Sequence, residues 1–246
     1  MKNLSKNRLH NCRYCLLKFT QHDGSDFFYK LYSQENELLL NELLKRDFYI
    51  SQYINNDAII KPVEHLADKN MFLYEHFHGQ PLHEIVFSYR EIETLINIFI
   101  AITESLRDIH HKDVIHTNLT PSSVYITAEG SVKCKIFNFC QAQIKNEKKD
   151  TLHSHCTSPI YNAPEKLTSH LSEVDIRSDL YSLGVIFYEQ LCGIPPHRAY
   201  SDEEIITAHR TITPIAPHIL IQGLPEVLSN CILKLLHKKK ELRFNN

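Results

Sequence analysis

Hydrophobic and polar positions recur with different periods along the chain, and these periods predict a small β-rich part followed by a larger helical part. Aromatic and branched residues at 14–19 and 27–32 predict two strands joined through a polar turn. Apolar residues three and four apart predict a helix from 37 to about 54. Ile59 with Ile60, and residues 71–74, are two further strand candidates. Residues 75–79 are a candidate hinge.

After Pro81 the apolar residues follow the helical period. One long helix ends at His111 and Lys112. A later helix is apolar almost all round, so it should be buried, with Asp179 as its predicted N-cap and Gly193 beyond its end. A capping box at 201–204 and the apolar positions of 224–236 predict two more helices.

Between the two long helices, the pattern predicts a hairpin and then a loop. Residues 124–126 and the apolar run 132–139 are separated by a turn signal, which is typical of a hairpin. Residues 143–155 are polar, basic and without period, which predicts a loop.

Composition and charge exclude several functional classes. The 246 residues carry a formal net charge of −2, which gives no reason to expect nucleic acid or an anionic membrane as the main partner. No apolar run is long enough to span a bilayer, and the first twenty residues lack the apolar core of a signal peptide. Seven cysteines, an odd number, fit a reducing compartment better than a disulfide framework. We therefore expect a cytoplasmic protein without membrane insertion.

Sixteen histidines invite a metal-site interpretation, but their spacing does not support it. The His and Cys residues at 10–15 and at 153–156 do not complete a four-ligand set at zinc spacing. No bound metal is expected.

The most informative residue types lie in residues 114–140. There the first long helix is followed by a polar loop, which leads into the hairpin. The loop reads H-T-N-L-T-P-S-S at 116–123, and N-F-C follows the hairpin at 138–140. This arrangement resembles the catalytic loop of protein kinases, H-R-D-x-x-x-x-N, followed by D-F-G. His116 keeps the place of the family's His. Asn118 stands at the catalytic Asp, Ser123 at the metal-binding Asn, Asn138 at the metal-binding Asp and Thr120 at the loop lysine.

The resemblance extends over almost the whole chain. Residues 158–165, S-P-I-Y-N-A-P-E, resemble the kinase segment that ends in A-P-E, and residues 177–196 resemble the central helix and its exit. The amino-acid sequence of this helix is most similar to that of bacterial Ser/Thr kinase-like domains, notably those at the N-terminus of hybrid sensor histidine kinases. The resemblance implies an α+β, two-lobed kinase-like fold in a single domain, with an N-lobe of residues 1–78 and a C-lobe of residues 79–246.

In the N-lobe the resemblance implies a nucleotide site that lacks part of the family's usual residues. Lys30 matches the lysine that faces the phosphates, and Asp47 is the helix acid expected to pair with it, with Glu42 as the alternative if the helix register shifts by a turn. No glycine occurs before Gly24, so the glycine-rich phosphate loop is missing. Phe28 replaces a small residue beside the adenine and could block its site, whereas Glu75 begins the hinge that would face the base.

In the C-lobe the resemblance implies that architectural residues are kept. His116 and Phe139 would belong to the apolar column that links the lobes. Asp179 would anchor the backbone of the 116–118 loop, and Glu165 would pair with Arg243.

These departures lead to three hypotheses. The main one is a pseudokinase that acts through contacts with a protein partner not identified by the sequence, with no cofactor expected unless residual binding of ATP with Mg²⁺ survives. The alternative is a weak or unconventional ATP-dependent Ser/Thr kinase, or another nucleotide-binding transferase, that uses Lys30, Asp47 and Asn138. A third is a decayed fragment without a selected role, which the ending at 245–246 favours slightly.

Overall fold

The computed structural model describes residues 14–20, 26–32, 37–66, 71–85, 87, 92–127, 131–145, 147, 159–167 and 174–245. Side chains are described from Glu42 onward, apart from Met71. The chain has a two-lobed α+β fold with a small sheet-containing lobe and a larger helical lobe.

The small lobe contains an antiparallel sheet and one helix. Its strands β1 (Tyr14–Thr20), β2 (Asp26–Tyr32), β3 (Pro62–Leu66) and β4 (Met71–Glu75) lie in the order β1-β2-β4-β3. Helix α1 spans Glu37–Ile54, as the apolar spacing predicts. The predicted strands at 14–19, 27–32 and 71–74 are confirmed.

The strand predicted at Ile59 and Ile60 is wrong. Ile59 forms only an isolated bridge to Ile136, and β3 begins at Pro62. Ile60 N donates to Ile136 O at 3.2 Å, and Ile136 N donates to Ala58 O at 2.8 Å. The apolar pair therefore connects the small lobe to the hairpin of the larger one instead of entering the sheet.

The larger lobe is built on helices α2 (Ile92–His110), α3 (Ile176–Cys192), α4 (Asp202–Thr211), α5 (Pro217–Leu220) and α6 (Glu226–Leu235). Strands β5 (Gln80–Pro81), β7 (Val124–Thr127) and β8 (Lys133–Ile136) form one small sheet. Strands β6 (Val114–Ile115) and β9 (Gln143–Ile144) form another. The predicted hairpin is confirmed as β7 and β8.

The loop predicted from residue 143 is wrong at its start, because Ile144 and Gln143 pair with Val114 and Ile115. Residues 146 and 148–158 lie outside the described residues. Asp179 is not the N-cap of α3 either. That cap is Asp175, whose carboxylate accepts a hydrogen bond from Arg177 N at 2.9 Å.

Helix α3 forms the centre of the larger lobe. Every residue from Ser178 to Tyr188 is buried, which confirms that the helix is enclosed on all sides. A Cβ atom added to Gly184 would lie 2.7 Å from Leu235 Cβ, so glycine permits α3 and α6 to pack closely. Among the described residues, no helix combines the length and the hydropathy needed to cross a membrane.

A second, smaller apolar cluster joins the lobes. We call it the interlobe cluster. Its members come from α1, the segment before β3, β4, β7 and the residue after β8: Leu44, Ile60, Phe72, Tyr74, Tyr125 and Phe137. The ring of Phe137 meets Tyr74 edge to face, with centroids 4.9 Å apart, and Tyr125 in the same manner at 6.4 Å. Such pairs add about 0.5–1.5 kcal/mol beyond the burial of their area.

Candidate functional site

The loop 116–123 is held by a buried carboxylate from the central helix. Asp179 accepts hydrogen bonds from His116 N at 2.7 Å and Thr117 N at 2.8 Å, and it contacts His110 Nε2 at 2.9 Å. Thr117 has a φ of 60°, which is unfavourable for a β-branched residue. Its hydroxyl donates to Gln141 O at 2.7 Å, so bonds on both sides hold it in this conformation.

The imidazole of His116 connects the loop to the segment after β8. Its Nε2 donates to Phe137 O at 3.1 Å, and its Nδ1 accepts from Asn118 N at 3.3 Å. These two bonds require a neutral ring with its proton on Nε2, and burial, which lowers the pKa of His116, favours the same neutral form. The ring of Phe139 lies 4.9 Å from it and is fully buried.

The hydroxyl groups of Thr120, Ser122 and Ser123 bind within the loop itself. Ser123 Oγ donates to Thr120 O at 2.8 Å and accepts from Thr120 N at 3.0 Å. Thr120 Oγ1 lies 2.9 Å from Ser122 Oγ. The bond from Thr120 N to Ser123 Oγ is part of a capping box around the 3₁₀ turn Pro121–Ser123, so these side chains serve local backbone structure.

The segment 137–139 is fixed from two sides. Phe137 N donates to Ser123 O at 2.8 Å, and Phe139 N donates to the carboxylate of Asp47. Between them, Asn138 is 2% exposed and has a φ of 75°. Asn is one of the few residue types other than glycine that adopt this conformation readily.

Helix α1 provides the acid that reaches this segment. Asp47 is fully buried and also accepts a hydrogen bond from Tyr74 OH at 2.5 Å, whereas Glu42 is exposed. Burial, and then the Asp47 carboxylate, raise the pKa of Tyr74 well above its ordinary value. The helix register therefore presents Asp47, and not Glu42, to the interior.

The residue before Asp47 adds a second connection. Arg46 Nε and Nη2 donate to Ala142 O at 3.2 and 3.1 Å, and Arg46 Nη1 donates to Glu147 Oε1 at 2.8 Å. Two consecutive residues of α1 thus bind the backbone of residues 139–142.

A buried ion pair fixes the lower part of the larger lobe. Arg243 Nη1 and Nη2 donate to Glu165 Oε1 and Oε2 at 2.7 and 2.8 Å, and Ser178 Oγ donates to Glu165 Oε1 at 2.7 Å. The remaining Arg243 donors bind the carbonyl groups of Arg177, His237 and Lys238. Although burial acts to raise the pKa of Glu165, the bonds from Arg243 hold it below its ordinary value.

Comparison with known proteins decides the family. A model of the protein kinase domain matches residues 15–245. The chain belongs to the protein kinase superfamily. It is 26% identical over 256 residues to a probable serine/threonine-protein kinase of Clostridium perfringens. The aligned region covers 94% of this chain and 36% of the relative.

Two further relatives give the same picture of a shared domain within longer proteins. A probable serine/threonine-protein kinase of Clostridium acetobutylicum is 27% identical over 82% of this chain and 31% of its own length. Histidine protein kinase 1 of Candida albicans is 34% identical over 63% of this chain and 6% of its own length. The chain thus spans about a third of the two clostridial relatives and a small part of the fungal one.

The residues at the motif positions of this kinase domain differ in type from those with which active protein kinases hold a nucleotide and Mg²⁺. Those kinases hold Mg²⁺ through a carboxylate and a loop Asn, and they position the acceptor hydroxyl with an Asp. Here the corresponding residues are Asn138, Ser123 and Asn118, and the hydroxyl of Ser123 is bound to Thr120. Within the described part of the chain, no group of three or more His, Cys, Asp or Glu side chains could hold a metal ion.

Of the residues predicted to face a nucleotide, Phe28 and Lys30 are described by their backbone alone. The register of β2 against β4 pairs Phe28 with Tyr74 and Lys30 with Phe72. Residues directly opposite on antiparallel strands share a face of the sheet, so positions 28 and 30 lie on the face of Tyr74 and Phe72. The roles of Phe28 and Lys30 at a nucleotide stay predictions. At the hinge, Glu75 N donates to Lys61 O at 2.8 Å, and its carboxylate binds Lys135.

Sequence reasoning missed Lys166, which follows the A-P-E segment. Its Nζ donates to Thr117 O and, at 3.1 Å, to Asn162 Oδ1. Burial lowers the pKa of Lys166 to about 7. No local pattern marks this residue, because its loop partner lies 49 positions earlier in the chain.

Tyr74→Phe should destabilise the domain by about 1.5–3 kcal/mol, the range typical of a hydrogen bond to a charged group. The substitution keeps the ring in the interlobe cluster and removes only the bond to Asp47. Urea unfolding measures the loss. Tyr53→Phe, on the exposed side of α1, is the matched control and should change little. Equal stability of Tyr74→Phe and wild type would show that the bond contributes nothing to holding α1.

Proposed function

We propose that this kinase domain is a pseudokinase that regulates or scaffolds a signalling protein through protein contacts. The observation that carries the proposal is that two of the altered positions, Thr120 and Ser123, are hydrogen-bonded within the loop itself. Ser123 and Thr120 bind each other, and Asp47 binds Tyr74 and Phe139. No carboxylate stands at position 118, 123 or 138. Loss of general-base assistance alone typically lowers a rate by about 10²–10⁴.

The retained contacts support a structural role. The bonds from Asp179 to the loop, from Asp47 and Arg46 to the segment 139–142, and from Arg243 to Glu165 each require a long-range match between distant residues. A rigid surface of defined shape is what a scaffold needs. The proposal includes a protein partner in the cytoplasm, no nucleic-acid partner, no membrane insertion and no resident cofactor.

A second candidate is an active Ser/Thr kinase of unusual chemistry. The names of the clostridial relatives, probable serine/threonine-protein kinases, favour it. In that case Lys30, Asp47 and Asn138 would have to position ATP without an acidic metal ligand at position 123 or 138. The two candidates differ in whether a nucleotide with a divalent cation stabilises the protein.

A thermal melting series distinguishes them. Wild type should melt at the same temperature with and without ATP, ADP or GTP, each tested with Mg²⁺ and with Mn²⁺. A ligand that binds the native state at a hundred times its Kd adds about 2.7 kcal/mol, which shifts the melting temperature by several degrees. A metal-dependent shift of that size with ATP would support the active-kinase candidate instead.

Phe28→Ala extends the same series, because we propose that Phe28 blocks the adenine site. The variant should melt at a lower temperature than wild type when empty, and its melting temperature should rise with adenosine or ATP. Phe27→Ala, at the neighbouring strand position, is the matched control and should not acquire a response. If wild type already responds to adenosine, the ring of Phe28 does not exclude the base.

A further inference from the structure

A cavity of about 630 Å³ lies beneath the hinge, away from the altered catalytic loop. It is bounded by residues 76–80, the end of β7 and the start of α2. Ile126 lines it, whereas the preceding residue, Tyr125, belongs to the interlobe cluster. Since neighbouring residues of a strand point to opposite faces, the cavity and the interlobe cluster lie on opposite faces of the β5-β7-β8 sheet. Neither Asp47 nor any residue of the loop 116–123 lines the cavity.

The size and the walls of the cavity suit a small organic molecule. Binding pockets typically enclose roughly 300–1,000 Å³ and are lined mainly by apolar and aromatic side chains. The apolar walls here include the rings of Phe77 and Phe87 and the side chains of Ile98 and Ile126. Aromatic walls favour a flat, aromatic occupant.

A few of the described side chains that line the cavity are polar, and these can form hydrogen bonds. His76 and His78 lie edge to face with ring centroids 4.5 Å apart, and Gln80 and Thr94 complete the polar lining. A neutral imidazole offers one N–H donor, and the amide of Gln80 offers two. The described side chains that line the cavity include no Asp, Glu, Lys or Arg. Within the described lining, a polyphosphate would therefore find no lysine or arginine, whereas a single carboxylate would find several donors and no acidic side chain.

We propose that this cavity binds a flat aromatic monocarboxylate. The ring would lie against the phenyl and aliphatic walls, and the carboxylate would accept hydrogen bonds from the imidazoles and from Gln80. The bound molecule would touch Phe77, whose ring centroid lies 5.6 Å from Lys135 Nζ. Lys135 in turn binds Glu75, so the site adjoins the ion pair between the hinge and the larger lobe. This function is separate from the proposed loss of catalysis, and each can fail without the other.

Calorimetric titration of the full chain with 2-naphthoate tests the proposal. We expect saturable binding of one molecule per chain, and about tenfold weaker binding of the neutral amide, naphthalene-2-carboxamide, because it lacks the charge. Addition of ATP should leave the affinity for 2-naphthoate unchanged. Absence of binding by 2-naphthoate at millimolar concentration, or equal binding of the amide, would overturn the assignment.

Variants at the cavity locate the binding. Thr94 lines the cavity from an exposed position on α2, so Thr94→Trp should fill its mouth without disturbing the core and weaken 2-naphthoate binding by about tenfold or more. Glu93→Trp, at the exposed neighbouring position outside the lining, is the matched control and should bind as wild type does. His78→Phe should keep the ring and weaken the carboxylate more than the amide. Undiminished binding by Thr94→Trp would place the ligand elsewhere and contradict the proposal.

Discussion

Arg243→Met is expected to lower the free energy of unfolding by about 3–5 kcal/mol, because it leaves the buried carboxylate of Glu165 without its cation. The side chains of Arg243 and Glu165 are 0% and 7% exposed, so water cannot replace the lost partner. Arg243 also binds three backbone carbonyl groups, which would lose their donors at the same time. Urea unfolding followed by circular dichroism measures the change.

The double variant Glu165→Leu with Arg243→Met provides the matched control. Replacing both members of a buried ion pair by apolar residues of similar size is often neutral or stabilising, since neither charge then has to be desolvated. The double variant should therefore recover a large part of the stability lost by Arg243→Met. If the single variant is as stable as wild type, the pair does not fix the lower part of the lobe.

Acid should destabilise the domain steeply below pH 6.5, through two buried histidines of the larger lobe. Burial, and then the charge of Lys238, lower the pKa of His197 to about 4. Burial, followed by His197 and Lys238, lowers the pKa of His209 to about 3. His209 Nδ1 binds Tyr181 OH at 2.8 Å, and His197 Nε2 accepts from Lys238 Nζ at 3.0 Å, so the fold is built around neutral rings.

The direction in which stability changes with pH follows from proton uptake on unfolding. Below its ordinary pKa of about 6.5, each histidine binds a proton in the unfolded chain but not in the native state. Each histidine therefore costs no stability above about pH 6.5. As the pH falls from there toward the native pKa, each one lowers the free energy of unfolding by up to about 1.4 kcal/mol per pH unit. Urea unfolding at pH 7.0, 6.0 and 5.0 measures the slope.

His209→Gln is the informative variant for this slope. It removes one of the two titrating groups and keeps a side-chain amide near Tyr181. The loss of stability between pH 7 and pH 5 should fall by roughly half relative to wild type, since one of the two rings no longer takes up a proton on unfolding. His111→Gln, at an exposed position, is the matched control. An unchanged slope in His209→Gln would show that His209 does not carry the acid sensitivity.

The elements that could be predicted from the sequence are those set by local periodicity. Helix α1 spans the predicted residues because its apolar positions repeat with the helical period over five turns. The burial of α3 follows from its lack of a polar face. Two of the three wrong local predictions share a cause. Ile59 with Ile60, and Asp179, have the residue types of a strand and of a cap, but their partners are Ile136 and the loop backbone, more than sixty residues away.

The contacts of the candidate site depend on the same long-range matching. The resemblance singled out Asp47 as the acid of α1, and its pairing with Lys30 stays a prediction. The observed partner of Asp47, Tyr74, had no signal beyond its place in an aromatic strand. Arg46 and Ala142 are 96 residues apart, and Lys166 reaches the loop across 49 residues. No periodicity within one element encodes such pairs, because they arise only when separate elements pack together.

The central claim, that the altered loop no longer transfers phosphate, is tested most directly by measuring transfer of the radiolabelled γ-phosphate of ATP. The assay uses purified full chain with Mg²⁺ or Mn²⁺, scores both self-labelling and labelling of generic protein substrates, and compares wild type with Lys30→Ala. We predict that the two proteins give the same background, since positions 118, 123 and 138 supply no general base and no acidic metal ligand. Transfer by wild type above the Lys30→Ala background would contradict the account and identify the protein as an active kinase.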